Sequence, residues 1–223
     1  MNTLKNLSVK MQISLPILIL SVLIAVVGLK SLLTINSVIA RTDVAISNLS
    51  PATTSILNAD RDLYQAELAL REYVVLTGEG QDITEVQQEF TDNVKQAFDR
   101  MENAAALVRD HDVRVMPAAE FMQVFNRWRT AADQVIGFAK QNNITEARAL
   151  ITGAEGIAFA TLREEYNGLG ERIEDRLVIL ERELSSYVSL QKNLTILLVI
   201  IAFSIAIITV IFSPRLIVKP LAQ

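Results

Sequence analysis

Two stretches of the chain carry no charge: Met11–Leu29, MQISLPILILSVLIAVVGL, and Leu194–Phe212, LTILLVIIAFSIAIITVIF, each 19 residues long. As a helix, each is long enough for a hydrocarbon core of about 30 Å. Helix is also the form that satisfies every backbone N–H and C=O within a single span. Pro16 lies near the start of the first run, where a membrane helix tolerates it. A cleaved signal peptide is the alternative for that run. It is, however, longer than the usual core of about 7–15 residues. The nearest small-residue site, ending at Ala40, falls 11 residues beyond it.

Charge then fixes orientation. All 25 acidic residues lie between Asp43 and Glu183, whereas Lys5, Lys10, Lys30, Lys192, Arg215 and Lys219 flank the apolar runs. Taking those six from 21 bases leaves 15 against 25 acids, a net of −10 for the intervening segment. Basic residues in short tails stay on the cytoplasmic side, and long loops cross regardless of charge. The expected layout is a cytoplasmic tail over 1–10, a span over 11–33, an outer domain over 34–192, a second span over 193–212 and a cytoplasmic connector over 213–223. The chain has no cysteine, so an outer domain must stand on its own core without disulfides. Its acidity argues against nucleic acid as a partner.

Within the outer segment only three places interrupt a helical pattern: TGEGQD (Thr77–Asp82), DHDVRVMP (Asp110–Pro117) and QNN (Gln141–Asn143). Gly153 and Gly156 are additional isolated breaks, and strand signals are missing. Between the breaks, apolar residues recur at helical spacing. The first helix reads Leu32, Ile35, Ile39, Thr42, Ile46, Leu49, Thr53, Ile56, Asp60, Leu63, Glu67, Leu70, Val74 and Thr77, a heptad seam. Pro51 interrupts its hydrogen-bond ladder and predicts a slight bend. The second helix carries Ile83, Val86, Phe90, Val94, Ala97, Met101, Ala104 and Val108, and the third Phe121, Phe125, Trp128, Ala132, Val135 and Ala139. The fourth carries Leu162, Tyr166, Leu169, Ile173, Leu177, Leu180, Leu184 and Tyr187. The fold class is therefore all-α: an antiparallel up-down-up-down four-helix bundle whose first and last helices continue into the two spans.

No spacing of nucleophile and base, glycine-rich phosphate loop or metal-ligand cluster stands out. His111, the sole histidine, sits in a turn between Asp110 and Asp112, and TGEG lacks the preceding strand and the lysine of a phosphate loop. No catalytic residue, metal or cofactor is expected. The aromatic stripe at 121, 125 and 128 reads as core. LNADRDLYQAELALREYVVLTG (Leu57–Gly78) is more informative, because the seam turns polar at Asp60 and Glu67. Counting residues from each membrane edge puts Arg61 level with Glu165, and Arg71 level with Glu155. Arg61, Tyr64, Gln65 and Arg71 on the first helix are therefore candidate ligand contacts, together with Arg163, Tyr166 and Asn167 on the fourth. Arginine's forked donors suit a carboxylate, so the expected ligand is a small anionic or zwitterionic molecule such as an amino acid or organic acid.

These residues resemble the sensory half of a bacterial methyl-accepting chemotaxis receptor. LNADRDLYQAELALREYV is similar to the first bundle helix of such receptors, EARALITGAEGIAFATLREEYNGL to the fourth, and RLIVKPLAQ to the entry of a HAMP domain, here at Pro220-Leu221 after a connector over Ser213–Lys219. The resemblance implies an inner-membrane, multi-pass homodimer with its bundle in the periplasm. It further implies transmission through Pro214, Pro220 and Leu221, and an adaptor and histidine kinase reached through a cytoplasmic half beyond Gln223. HAMP entries on four-helix sensors also occur in histidine kinases and diguanylate cyclases, and a non-sensing membrane-anchored scaffold is the structural alternative.

Overall fold

A computed structural model describes the backbone of residues 9–221 and the side chains of residues 11–211, except at positions 12 and 13. Residues 1–8 and 222–223, and the side chains of Pro214, Pro220 and Leu221, lie outside the described residues, and with them much of the two expected cytoplasmic tails. The described residues form α1 (Val9–Asp43), a π-helical stretch (Val44–Leu49), α2 (Ser50–Glu79), α3 (Thr84–Val108), α4 (Ala118–Lys140), α5 (Ile144–Thr152) and α6 (Ala154–Leu221). No strand occurs among them. The chain divides into two compact units, one of residues 1–42 with 181–223 and one of residues 43–180.

The second unit is the four-helix bundle, built from α2, α3, α4 and the α5–α6 succession. Its joints follow turn chemistry. Gly80 takes a left-handed φ of 68° at the end of α2. There the Gly80 N–H bonds to Thr77 O and the Gln81 N–H to Leu76 O, the paired closure that caps a helix when a glycine follows it. Asn142, at φ 59°, closes α4 in the same way, with Asn142 N–H on Ala139 O and Asn143 N–H on Phe138 O. The long α3–α4 joint is tied down by α6, where Arg176 donates to the His111 carbonyl at 3.0 Å and to the Asp112 carboxylate at 3.2 Å.

The core stripes of α3 and α4 are buried as the sequence predicts, from Val86 to Val108 and from Phe121 to Ala139. In α2 the outcome is different at alternate positions. Leu49 just ahead of it, and Ile56, Leu63, Glu67, Leu70 and Val74 within it, are buried as expected, whereas Thr53 and Asp60 are only half-buried and the alanines beside them, Ala52 and Ala59, are fully buried, as is Ala66. Alanine there lets neighbouring backbones approach, and Thr53 and Asp60 flank the seam. Nearer the first apolar run the expected seam is not packed: Leu32, Ile35, Ile39 and Ile46 are exposed. Pro51 stands at the start of α2. It lacks an N–H and its ring crowds the carbonyl four residues back. A π-helical turn just ahead of it, with the Ser50 N–H on Ala45 O, absorbs the mismatch by adding one residue per bond, so a seam counted at strict helical spacing loses its register across this turn.

The first unit holds the apolar runs. Windows of mean hydropathy 2.5 in the first and 3.1 in the second are entirely unburied within the protein. The flanks of the two helices are joined by Arg41, which pairs with Glu183 at 3.2 Å and lies over the Tyr187 ring at 5.6 Å. Lys30 also donates to Gln191.

The α5–α6 junction depends on glycine for space. A Cβ on Gly156 would fall 2.5 Å from the Ile151 carbonyl oxygen, closer than any real side-chain contact, and the obstacle is backbone. A Cβ on Gly137 in α4 would meet nothing within 4 Å. The same change should therefore act in opposite directions: Gly156→Ala should destabilise by about 1–3 kcal/mol, while Gly137→Ala should be neutral or stabilise by up to about 1 kcal/mol. Thermal unfolding of the two variants followed by circular dichroism tests this. Equal shifts for both would refute the steric account.

Candidate functional site

Three carboxylates project from α2 into or along the bundle interior, and each meets a different neighbour. Asp62 is almost fully buried and accepts from Arg61 Nη2 at 2.8 Å and from Arg100 of α3. A buried carboxylate without such partners would be strongly destabilising. Asp60 accepts from Arg163 Nε of α6 at 3.0 Å, and the Arg163 guanidinium lies 5.1 Å over the Tyr64 ring. Tyr64 in turn meets Phe159 edge-on at 6.0 Å. The hydrogen bond and charge of Asp60 hold the Arg163 guanidinium above its ordinary pKa.

One to two turns along α2, Glu67 accepts from Arg71 Nε at 2.7 Å. Glu67 is 3% exposed and the facing Glu155, in the first turn of α6, is 0% exposed. Trp128 of α4 donates its indole N–H to Glu155 Oε1 at 2.8 Å. Burial, followed by the Glu67 carboxyl beside it, pushes the Glu155 pKa up to about 8, against the smaller opposing effects of Trp128 and Arg71. Oε2 of Glu67 and Oε2 of Glu155 are both buried without a donor.

The structure brings the candidate residues together only in part. Tyr64 and Arg163 meet, as the level count places them, and Arg71 lies close enough to Glu155 for its charge to act there. Arg61, Gln65 and Arg71 lie on an exposed face of α2. Tyr166 is core: it is fully buried and its ring packs on Phe121 at 6.0 Å. Its hydroxyl finds no partner, and its pKa is raised by burial and by the Asp60 and Asp62 charges. Asn167 is exposed and, with Asp60, Tyr166, Glu171 and Glu174, lines an open groove of about 540 Å³ that contains no arginine. Of the seven candidates, only Tyr166 and Asn167 line this groove; Arg61, Tyr64, Gln65, Arg71 and Arg163 do not.

Asp62, Arg100, Trp128 and Glu155 were not among the expected site residues. Asp62 is off the expected seam, and Trp128 reads as core because its ring does pack there. Glu155, flanked closely by Gly153 and Gly156, looks like a helix-start residue. Its signal was the level count, which set it opposite Arg71; the neighbouring Glu67 was not part of that count. Among the described residues no group of three metal-ligating side chains occurs.

The described helices form an all-α bundle and include two long and apolar enough to cross a membrane. The chain belongs to the family of four-helix-bundle sensory modules for signal transduction, whose model matches residues 6–171. No curated protein and no solved structure matches the chain significantly.

Proposed function

We propose that the chain is the sensory half of a transmembrane chemoreceptor. The bundle senses a small extracytoplasmic ligand, and α6 transmits the signal across the membrane to a HAMP domain and a cytoplasmic signalling domain that engages an adaptor and histidine kinase. The observation that carries this reading is α6 itself, one helix from Ala154 in the bundle to Leu221 beyond the second charge-free run. In a bacterium the bundle would be periplasmic and the two apolar helices would sit in inner-membrane lipid. Shifts of about 1–2 Å along packed helices are sufficient for such transmission, with a coupling of about 1–3 kcal/mol between ligand and output.

The exposed face of α2 supports both the ligand class and a homodimer. Leu57, Arg61, Tyr64, Leu68, Arg71 and Val75 repeat at alternating spacings of four and three, and the four nonpolar or aromatic members are 41–65% exposed. That is the pattern of a coiled-coil seam without its partner, and a second copy's α2 would complete it. Arg61 and Arg71 each spend Nε and Nη2 on a carboxylate of their own helix. Nη1 of each remains for an incoming carboxylate, while the adjacent acids suit an ammonium group. A zwitterion fits this surface better than a simple anion.

The full chain in detergent micelles should show a raised melting temperature with at least one member of a panel of amino acids and carboxylates, since a ligand selective for the native state stabilises it. Arg61→Ala should abolish that shift and leave the unliganded melting point within about 3 °C, because the buried Asp62 keeps its pair with Arg100 and Arg61 itself is half-exposed. Unchanged binding in Arg61→Ala would remove this face from the reading.

A further inference from the structure

We propose that Glu67 and Glu155 form a proton-binding site in the end of the bundle where α6 begins: one proton shared by the two carboxyls holds α6 against α2 and α4, and its release to water loosens that contact. The sensory reading is needed only for the further step, that the loosening is passed along α6.

Counting donors leads to the shared proton. Glu67 uses Oε1 for Arg71, and Glu155 uses Oε1 for Trp128. The two Oε2 atoms are left buried, and no protein N–H or O–H reaches them. An unpaired buried carboxylate oxygen is strongly unfavourable, and two carboxylates at one site cannot both keep their charge. A single proton resolves both problems, because Glu155 as an acid donates to Glu67 and each Oε2 is then engaged. With Arg71 beside Glu67, the protonated pair is neutral overall; on release the proton goes to water and the site is left with one uncompensated negative charge.

The surroundings supply no other remedy. From α2 the charged groups acting on Glu155 are Glu67 and Arg71, and the buried Tyr73 hydroxyl on that helix has no partner of its own. From α4 comes the neutral Trp128. From α3, Phe90 packs on Trp128 at 6.3 Å. From α5 the buried side chains are Ala147 and Ile151. The N-terminus of α6 itself favours a carboxylate in its first turn, a weaker influence than the loss of water from two carboxyls. Glu155 lies between Gly153 and Gly156, where the α5 carbonyls approach most closely. Repulsion there acts on the first turn of a helix 68 residues long.

Trp128 is the only tryptophan, and its N–H is bonded to Glu155, so its fluorescence reads the site directly. In the full chain in detergent micelles, emission should change reversibly as pH is raised, with a midpoint near 8 and with helix content by circular dichroism unchanged. Glu155→Gln should be flat over the same range, since the amide donates to Glu67 as the acid does and cannot ionise. Glu67→Gln, which replaces the repelling charge by a donor, should lower the midpoint by more than about one pH unit. A wild-type trace without a transition, or one that persists in Glu155→Gln, would overturn the proposal. Should Glu155→Gln not fold, an unmoved midpoint in Glu67→Gln does so instead. If the transition is present while the chain fused to a reporter output shows no response to pH, the proton site stands and the transmission step fails.

Discussion

Trp128→Ala is expected to lower the stability of the bundle by about 3–5 kcal/mol. The ring is fully buried. It meets Phe125 edge-on at 5.9 Å and lies 6.3 Å from both Phe90 and Phe159, so its removal opens a cavity bordered by α3, α4 and α6 at once. It also removes the indole donor from Glu155 Oε1, leaving that buried oxygen without its partner. Trp128→Phe separates the two effects: most of the volume stays and the N–H is lost, for an expected penalty of about 1–3 kcal/mol. With about 2–4 °C per kcal/mol for a chain of this size, the alanine variant should melt roughly 10 °C lower and the phenylalanine variant less than half as far. If both melt alike, the hydrogen bond outweighs the packing; if neither moves, Trp128 is not the centre of this core.

The bundle was legible because its helices are separated by residues with one conformational use. Gly80 and Asn142 adopt the left-handed geometry that ends a helix, and the Val86–Val108 and Phe121–Ala139 stripes have the spacing a buried face requires. The register of the first helix was less legible. A 3-4 pattern continues through Thr53, Asp60 and Glu67 as plausibly as through Ala52, Ala59 and Ala66, because alanine at a seam gives little hydrophobic signal. The π-helical turn before Pro51 could not be read either: proline announces a missing hydrogen bond but not whether the chain bends or inserts a residue to accommodate it.

The candidate site shows the same division. Heights along two helices follow from a rise of 1.5 Å per residue, so the meeting of Arg163 with the Asp60–Tyr64 turn, and the nearness of the Arg71 charge to Glu155, could be anticipated. Azimuth depends on packing, and that is why Tyr166, similar in sequence context to Tyr64, is in the core while Tyr64 is half exposed. Each expected arginine also proves to be matched to an acid one to four positions away or on the facing helix. The sequence shows those acids, but which of two neighbouring carboxylates an arginine engages is decided by side-chain direction alone.

Stability should fall as pH rises from about 4.5 to about 8, and Glu155 gives the reason. Its pKa is about 8 in the folded chain against an ordinary value of 4.5, so within that window the native state holds a proton that the unfolded state has released. The slope of unfolding free energy with pH follows protons bound in the unfolded state minus those bound in the native state; the difference here is negative, and stability is lost on the alkaline side. At about 1.4 kcal/mol for each tenfold difference in proton affinity between the two states, the loss is on the order of a few kcal/mol between pH 5 and pH 9. It should level off above the folded pKa, where both states have lost the proton. Melting temperatures of the full chain at pH 6 and pH 9 should differ by roughly 5 °C or more, with the higher value at pH 6. In Glu155→Gln, which has no proton to release, the two should agree to within about 2 °C. A wild-type melting point higher at pH 9 than at pH 6 would mean that the pair is not protonated near neutrality, and the arrangement of Glu67, Arg71, Trp128 and Glu155 would then have to be held by a group other than the shared proton.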